Sequence, residues 1–295
     1  MNGYMLTKVF EINKTLVVAD SIEDAIRVYK LRSEQEIRDV CEVGSSGVIR
    51  DYYAIMAEPV VHSVRSWELT HVTFTGVDEW TDIEQLVDIQ RRYPKVEFGV
   101  LVSRKWKENG TRYMSPEQVK ELQGRGLRLS AHFCGSLARD VFGLGGFSEI
   151  HGAYDGMFDR VQLNVATYTD VAPTCIMPGP LKEVVIQQGR SLSLFEQCHI
   201  ASGDHVSVLL DKSGGQGIDT PIEVPLYAPK VHVGFAGGIG PDNVIDKLKQ
   251  ITSSPNIGKF WIDMESGVRT CDIFDIRKVE EVCKKVYEDF LNKNI

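Results

Sequence analysis

Three stretches in the last third of the chain carry the residues best suited to chemistry. VSVLLDKSGGQG ends an apolar run on Asp211, VHVGFAGGIGPDNV leads into Gly237 and Gly238, and FWIDMESGV leads into Ser266 and Gly267. A phosphate dianion is best held by backbone N–H groups at a glycine turn that opens a helix, because glycine admits close approach and the helix dipole favours negative charge. Ala236-Gly237-Gly238-Ile239 and Ser266-Gly267-Val268 therefore read as a phosphate cradle. A carboxylate closing an apolar strand has few structural reasons to be there, so Asp211 reads as a working acid beside a phosphorylated small molecule.

Other groups could share the work. His132 and Cys134 lie in SAHFCGSLARD, a polar break after an apolar run, where strand alternation aims both side chains the same way. The plain alternative is a histidine bonded to the loop and an inert buried thiol. Asp78 and Glu79 follow the first strand and read as solvated loop charges or as first-turn helix carboxylates stabilised by the dipole. Lys212 invites Schiff-base chemistry, but alternation points it away from Asp211. Arg112 belongs to a basic loop with Arg104, Lys105 and Lys107, and is either an anion ligand or a surface charge.

These groups need a scaffold, and the sequence specifies one. From about residue 69 onward, eight short β-branched runs alternate with helical patterns: 71–75, 96–102, 127–133, 159–165, 183–187, 206–211, 230–236 and 260–264. Most are apolar nearly throughout, as parallel strands covered on both faces should be. SPEQVKELQ opens with Ser115 as N-cap and Pro116 at the first helical position. The last helix places Val279, Val282, Cys283 and Val286 on one face. The fold class is α/β, a (βα)8 TIM barrel over 69–295 with its site at the C-terminal ends of the strands. Residues 1–68 form a small α+β extension of β-β-α-β type, with a helix cap at Asp20-Ser21. So short a unit supplies a meagre core alone, and packing against the barrel or a second subunit, as in a homo-oligomer, is its expected role.

Composition sets outer limits. A chain of 295 residues exceeds the roughly 250 of one barrel, consistent with an appendage. The net charge of -8, without a long basic run, argues against nucleic acid or an anionic membrane as partner. Six scattered cysteines show neither CxxC pairs nor zinc spacing, so reduced thiols, no metal and a cytoplasmic location are expected. There is no basic-then-apolar leader pattern at MNGYMLTKVFEIN and no membrane-length apolar run.

The stretch from 71 to 290 resembles phosphoribosylanthranilate isomerase, a barrel family of tryptophan biosynthesis. The shared features are THVTFTG, RYMSPEQ, VQL, LLD with a GGxG loop, AGGI and D-x-x-SGV, all in the family's order. The resemblance implies an Amadori rearrangement of a phosphoribosyl-amine without a cofactor. One acid opens the ribosyl ring to a Schiff base, and one base removes the C2′ proton. It implies Asp211 as the acid, Arg112 as the grip on the anthranilate carboxylate, and phosphate on Gly237, Gly238, Ser266 and Gly267. It also places Asp263, Gly215 and Gly217 among the substrate-binding residues.

The chain departs from the pattern on its first barrel strand, where Thr75 stands in the place of the family's cysteine base. A threonine hydroxyl accepts a proton far less readily than a thiolate. Asp78, Glu79, Cys134 and His132 are the candidate replacements. A barrel with no base is the other outcome, a catalytically silent phosphosugar binder acting as sensor or partner-binding module. Another sugar-phosphate isomerase or an aldolase is the third reading. Glu265 before the Ser-Gly pair, Arg269 after it and Gln216 in the GGxG loop are further departures. Arg269 could pair with Glu265 or contact phosphate.

Overall fold

The structure, a computed structural model, describes residues 67–103, 112–135, 157–158, 160–164, 183–187, 206–213, 216–225 and 231–292, with Ala138 and Ala228, and the backbone alone at 8–12, 15–19, 40–45 and 188. The chain divides into two compact units, Met1–Val61 and His62–Ile295. In the first, β1 (Lys8–Ile12), β2 (Thr15–Ala19) and β3 (Val40–Ser45) form an antiparallel sheet in the order β2-β1-β3. The helix expected from Asp20-Ser21 onward lies outside the described residues.

The second unit is a closed parallel barrel. Its strands are β4 (Glu68–Thr75), β5 (Val96–Val102), β6 (Leu129–Cys134), β7 (Arg160–Asn164), β8 (Glu183–Gln188), β9 (Val206–Asp211), β10 (Val233–Ala236) and β11 (Lys259–Met264). Each pairs with the next in sequence, and β11 returns to β4, as the eight runs of the sequence require. β4 begins earlier and β10 later than the apolar patterns indicated.

Four α-helices are seen among the described residues. α1 (Ile83–Arg92) is capped by Asp82, whose carboxylate accepts from Glu84 N–H. α2 (Pro116–Gly124) opens with a full capping box between Ser115 and Gln118, which satisfies two otherwise orphaned donors. α3 (Val244–Ser253) follows the β10 turn. α4 (Ile276–Lys284) continues as a π-helical segment over Lys285–Leu291 and buries Val279, Val282, Cys283 and Val286.

Between strands and helices the core is apolar, with Phe74, Phe98, Phe133, Phe235 and Phe260 all buried. Inside the barrel it is not. The inward positions include Thr73, Glu97, Arg160, Glu183, Ser207 and His232, which bond to one another. Arg160 Nη1 donates to Glu97 Oε1 at 2.7 Å, and its Nε lies 2.9 Å from Glu183 Oε2. His232 Nδ1 sits 2.7 Å from Glu183 Oε1, Ser207 donates to that oxygen, and Thr73 donates to Glu97 at 2.9 Å. The Arg160 guanidinium also lies 4.0 Å over the Trp261 ring. Its Nε, though close to Glu183, is poorly aimed; Nε and Nη2 have no hydrogen-bond partner among the described residues. The pair is thus a charge contact more than a directed bond. Burial pushes the Glu97 and Glu183 carboxyls up, but Arg160 and the surrounding donors hold both below the usual carboxylate range.

Candidate active site

A second polar layer sits nearer the C-terminal strand ends. On β4, alternation turns Thr75 inward along with Thr73; on β11 it does the same for Asp263. The β11–β4 closure then sets the two side by side, and the Thr75 hydroxyl donates to Asp263 Oδ1 at 2.7 Å. The Gln162 amide reaches Asp263 Oδ2 at 3.4 Å from β7, and also lies 3.0 Å from His132 Nδ1. His132 Nδ1 is 3.4 Å from the Thr75 hydroxyl and 3.9 Å from Asp263 Oδ2, while its Nε2 meets Ser130 at 3.1 Å. Thr75, His132, Gln162 and Asp263 therefore form one buried cluster, contributed by β4, β6, β7 and β11.

Burial acts oppositely on its members. It pushes the Asp263 carboxyl up to about 6, against the lowering effects of the Thr75 hydroxyl and Arg160, and it lowers the His132 imidazole to about 4. His132 is thus neutral near pH 7. Cys134, at the end of β6, is pushed up to about 11 by burial, with its sulfur 3.7 Å from the Asn164 amide. That thiol stays protonated at neutral pH, which removes it as a thiolate base.

Asp211 ends β9 and is buried, at 5% exposure. Its Oδ1 accepts from the Ser213 N–H at 3.0 Å and the Ser213 hydroxyl at 2.6 Å; its Oδ2 accepts from Gln187 at 3.0 Å. Lys212 turns outward to Glu223 at 2.5 Å, as alternation requires. Gly237 lies against Asp211, since a Cβ there would be 3.2 Å from Asp211 Oδ1.

The glycine loops pack backbone on backbone. Gly237 and Gly238 have φ of +104° and +64°, and a Cβ on Gly267 would lie 2.0 Å from the Ile239 carbonyl oxygen. The loop after β9 joins them. Gly217 (φ +65°) adjoins Ser266, and the backbone of Asp219 occupies the space beside Gly238. Asp219 is held by the buried Lys247 on α3 and by Asn243, which donates to its Oδ2 at 3.1 Å. Gly215 lies outside the described residues.

The loops after β4 and β11 are locked by an ion pair that sequence reasoning missed. Arg269 begins β12 (Arg269–Thr270), which pairs with β13 (Ile273–Phe274) through a turn with positive φ at Cys271 and Asp272. Its guanidinium donates to the Gly76 carbonyl at 2.5 Å and lies 3.2 Å from Asp78 Oδ2, an oxygen that also accepts from Phe274 N–H at 2.8 Å. Arg269 therefore pairs with Asp78, and among the described residues no ion pair joins it to Glu265; the Arg269 backbone N–H donates to the Ser266 carbonyl at the edge of the β11 glycine loop. Asp78, tied up in this way and fully buried, is unsuited to proton abstraction, and Glu79 is exposed. The separation of 191 residues hides the pair from any local pattern. Arg112 does reach the mouth, where it pairs with Glu265 at 3.1 Å and Asp272 at 3.2 Å and remains partly exposed.

A groove of about 400 Å³ lies on the outer wall between α1 and α4, lined by Glu84, Asp88, Arg92 and Glu280. It contains none of the strand-end residues. Among the described residues no group of three His, Cys, Asp or Glu could hold a metal ion, and no helix is long and apolar enough to cross a membrane.

Eight parallel strands closed on themselves, with inward acids at two strand ends, define a (βα)8 barrel of the kind that carries its site on the strand-end loops. Residues 158–285 match the family described as N-(5'phosphoribosyl)anthranilate (PRA) isomerase, which bears out the resemblance carried by the sequence motifs. Among solved structures, TrpF from Jonesia denitrificans is similar at 17% identity over 74% of this chain and 97% of that one, with a TM-score of 0.48. The N-(5'-phosphoribosyl)anthranilate isomerase from Pyrococcus furiosus is similar at 19% identity over 74% and 99%, with a TM-score of 0.47. No curated protein sequence matches the chain.

Proposed function

We propose that this barrel catalyses an Amadori-type aldose-to-ketose isomerisation of a phosphoribosyl-amine, of the phosphoribosylanthranilate class. The observation that carries the reading is the family match over 158–285, which contains Asp211, Asp263 and both glycine loops in one span. In this reading Asp211 donates the proton to the furanose oxygen as the C1′–O bond breaks. The Gly237-Gly238 turn and Ser266-Gly267 bind the phosphate through backbone N–H groups beside α3. Arg112, exchanging Asp272 or Glu265 for the substrate, holds the aglycone carboxylate in a bidentate grip.

A silent phosphosugar-binding barrel is the second reading, favoured by the threonine at position 75. The two separate on one assay: the fluorescence change as phosphoribosylanthranilate is consumed, run beside binding of the reduced product analogue. Turnover is expected. Analogue binding without turnover supports the silent barrel, and neither binding nor turnover overturns both readings.

A further inference from the structure

We infer that Asp263 is the catalytic base of this barrel and that the Thr75 hydroxyl positions its carboxylate, so that the base function lost from β4 is supplied from β11. The inference rests on the isomerase reading above. The geometry is specific. Thr75 Oγ1 marks where the resemblance puts the base, and Asp263 Oδ1 is 2.7 Å away, a single hydrogen bond from it. The second carboxylate oxygen is held by Gln162 at 3.4 Å, so rotation about the terminal bond is restrained from two strands.

The other candidates fail on structure. Asp78 is sequestered by Arg269 and the Phe274 N–H, Glu79 faces solvent, Cys134 is a protonated thiol, and His132 is already bonded by Ser130 and Gln162.

The step balances. The Asp263 carboxylate takes the C2′ proton of the Schiff base, the C2′–H pair becomes the C1′=C2′ bond, and the iminium π pair returns to nitrogen. Ketonisation then adds a proton at C1′ as the C2′ hydroxyl loses one. No oxidant or metal is consumed.

The charges that face Asp263 come from across the barrel, Glu97 on β5 and Arg160 on β7, with Glu265 just beyond its own strand and paired with Arg112; His132 on β6 is titratable but neutral near pH 7. With burial dominant, the carboxyl titrates at about 6, so the base form is filled as pH rises through that value. Thr75 lowers this value by bonding the charged form, so its loss raises it.

The test compares the unaltered chain with Asp263→Asn and Thr75→Val, each for turnover across pH and for binding of the reduced product analogue. The expected result is a 10²–10⁴-fold fall in kcat for Asp263→Asn with analogue affinity changed less than about threefold. Thr75→Val should keep part of the activity and move the acidic limb of kcat/KM above that of the unaltered chain. If Asp263→Asn loses structure, the Thr75→Val limb decides alone. An active unaltered chain whose Asp263→Asn variant retains kcat, or whose Thr75→Val limb is unmoved, overturns the inference and leaves the isomerase reading standing. An analogue-affinity loss equal to the kcat loss reduces Asp263 to substrate binding. An unaltered chain without turnover ends both.

Discussion

At the scale of single residues, the site contains two carboxylates with different surroundings. Asp211 accepts three hydrogen bonds from Ser213 and Gln187, whereas Asp263, equally buried, sits among polar groups that offset only part of its burial. Asp211→Asn should lower turnover by 10²–10⁴-fold while leaving analogue binding nearly intact, read by steady-state kinetics and titration. Asp263 also has a stability signature. Its carboxyl rises from 3.8 to about 6 on folding, so the folded chain binds more protons between those values and loses stability as pH climbs through them. The loss is on the order of 3 kcal/mol, complete above about pH 6. Asp263→Asn should therefore remove that part of the pH dependence, seen in urea midpoints at pH 4 and pH 7. An ionisable group that costs stability in a packed core points to function.

At the scale of elements, the β10 and β11 loops depend on missing side chains. A Cβ on Gly267 would meet the Ile239 carbonyl oxygen at 2.0 Å, so Gly267→Ala should cost about 1–3 kcal/mol, measured as a lower thermal midpoint. A residue at Gly238 would strike the Asp219 backbone, which makes it a poor probe of phosphate binding. Ser266 is exposed and serves better: Ser266→Asp should weaken phosphosugar binding at least tenfold, about 1.4 kcal/mol, with the fold unchanged.

The strands themselves were legible, because runs such as VEFGVLV and VSVLLD are apolar enough to need cover on both faces. The Ser115 cap and the α4 stripe were legible for equally local reasons. What could not be read was pairing across the barrel. Asp263 was assigned to substrate binding and Thr75 to a vacant base position, yet only the closure of β11 on β4 joins them, 188 residues apart. The Asp78–Arg269 lock is hidden by a similar separation, 191 residues.

At the scale of the whole barrel, the interior trades apolar filling for charge. Arg160 stands between Glu97 and Glu183, with His232, Ser207 and Thr73 completing the layer beneath the site. Arg160→Met should leave two buried carboxylates without their cation and cost about 3–5 kcal/mol, read by urea denaturation near pH 7. Lowering the pH should shrink that penalty. The folded values of both glutamates are depressed by Arg160, so its stabilising contribution is present above the ordinary carboxylate range and fades as they protonate. The barrel layer also tunes the site above it, since Arg160 and Glu97 act on Asp263 with opposite sign.

In the proposed reaction, a barrel with threonine on its first strand still isomerises a phosphoribosyl-amine, using Asp263 as the base. The most direct measurement is kcat/KM for phosphoribosylanthranilate as a function of pH, on the unaltered chain. The expected result is turnover at neutral pH with an acidic limb near 6, where the Asp263 carboxylate is lost. Tight binding of the reduced product analogue with no turnover at any pH would contradict it.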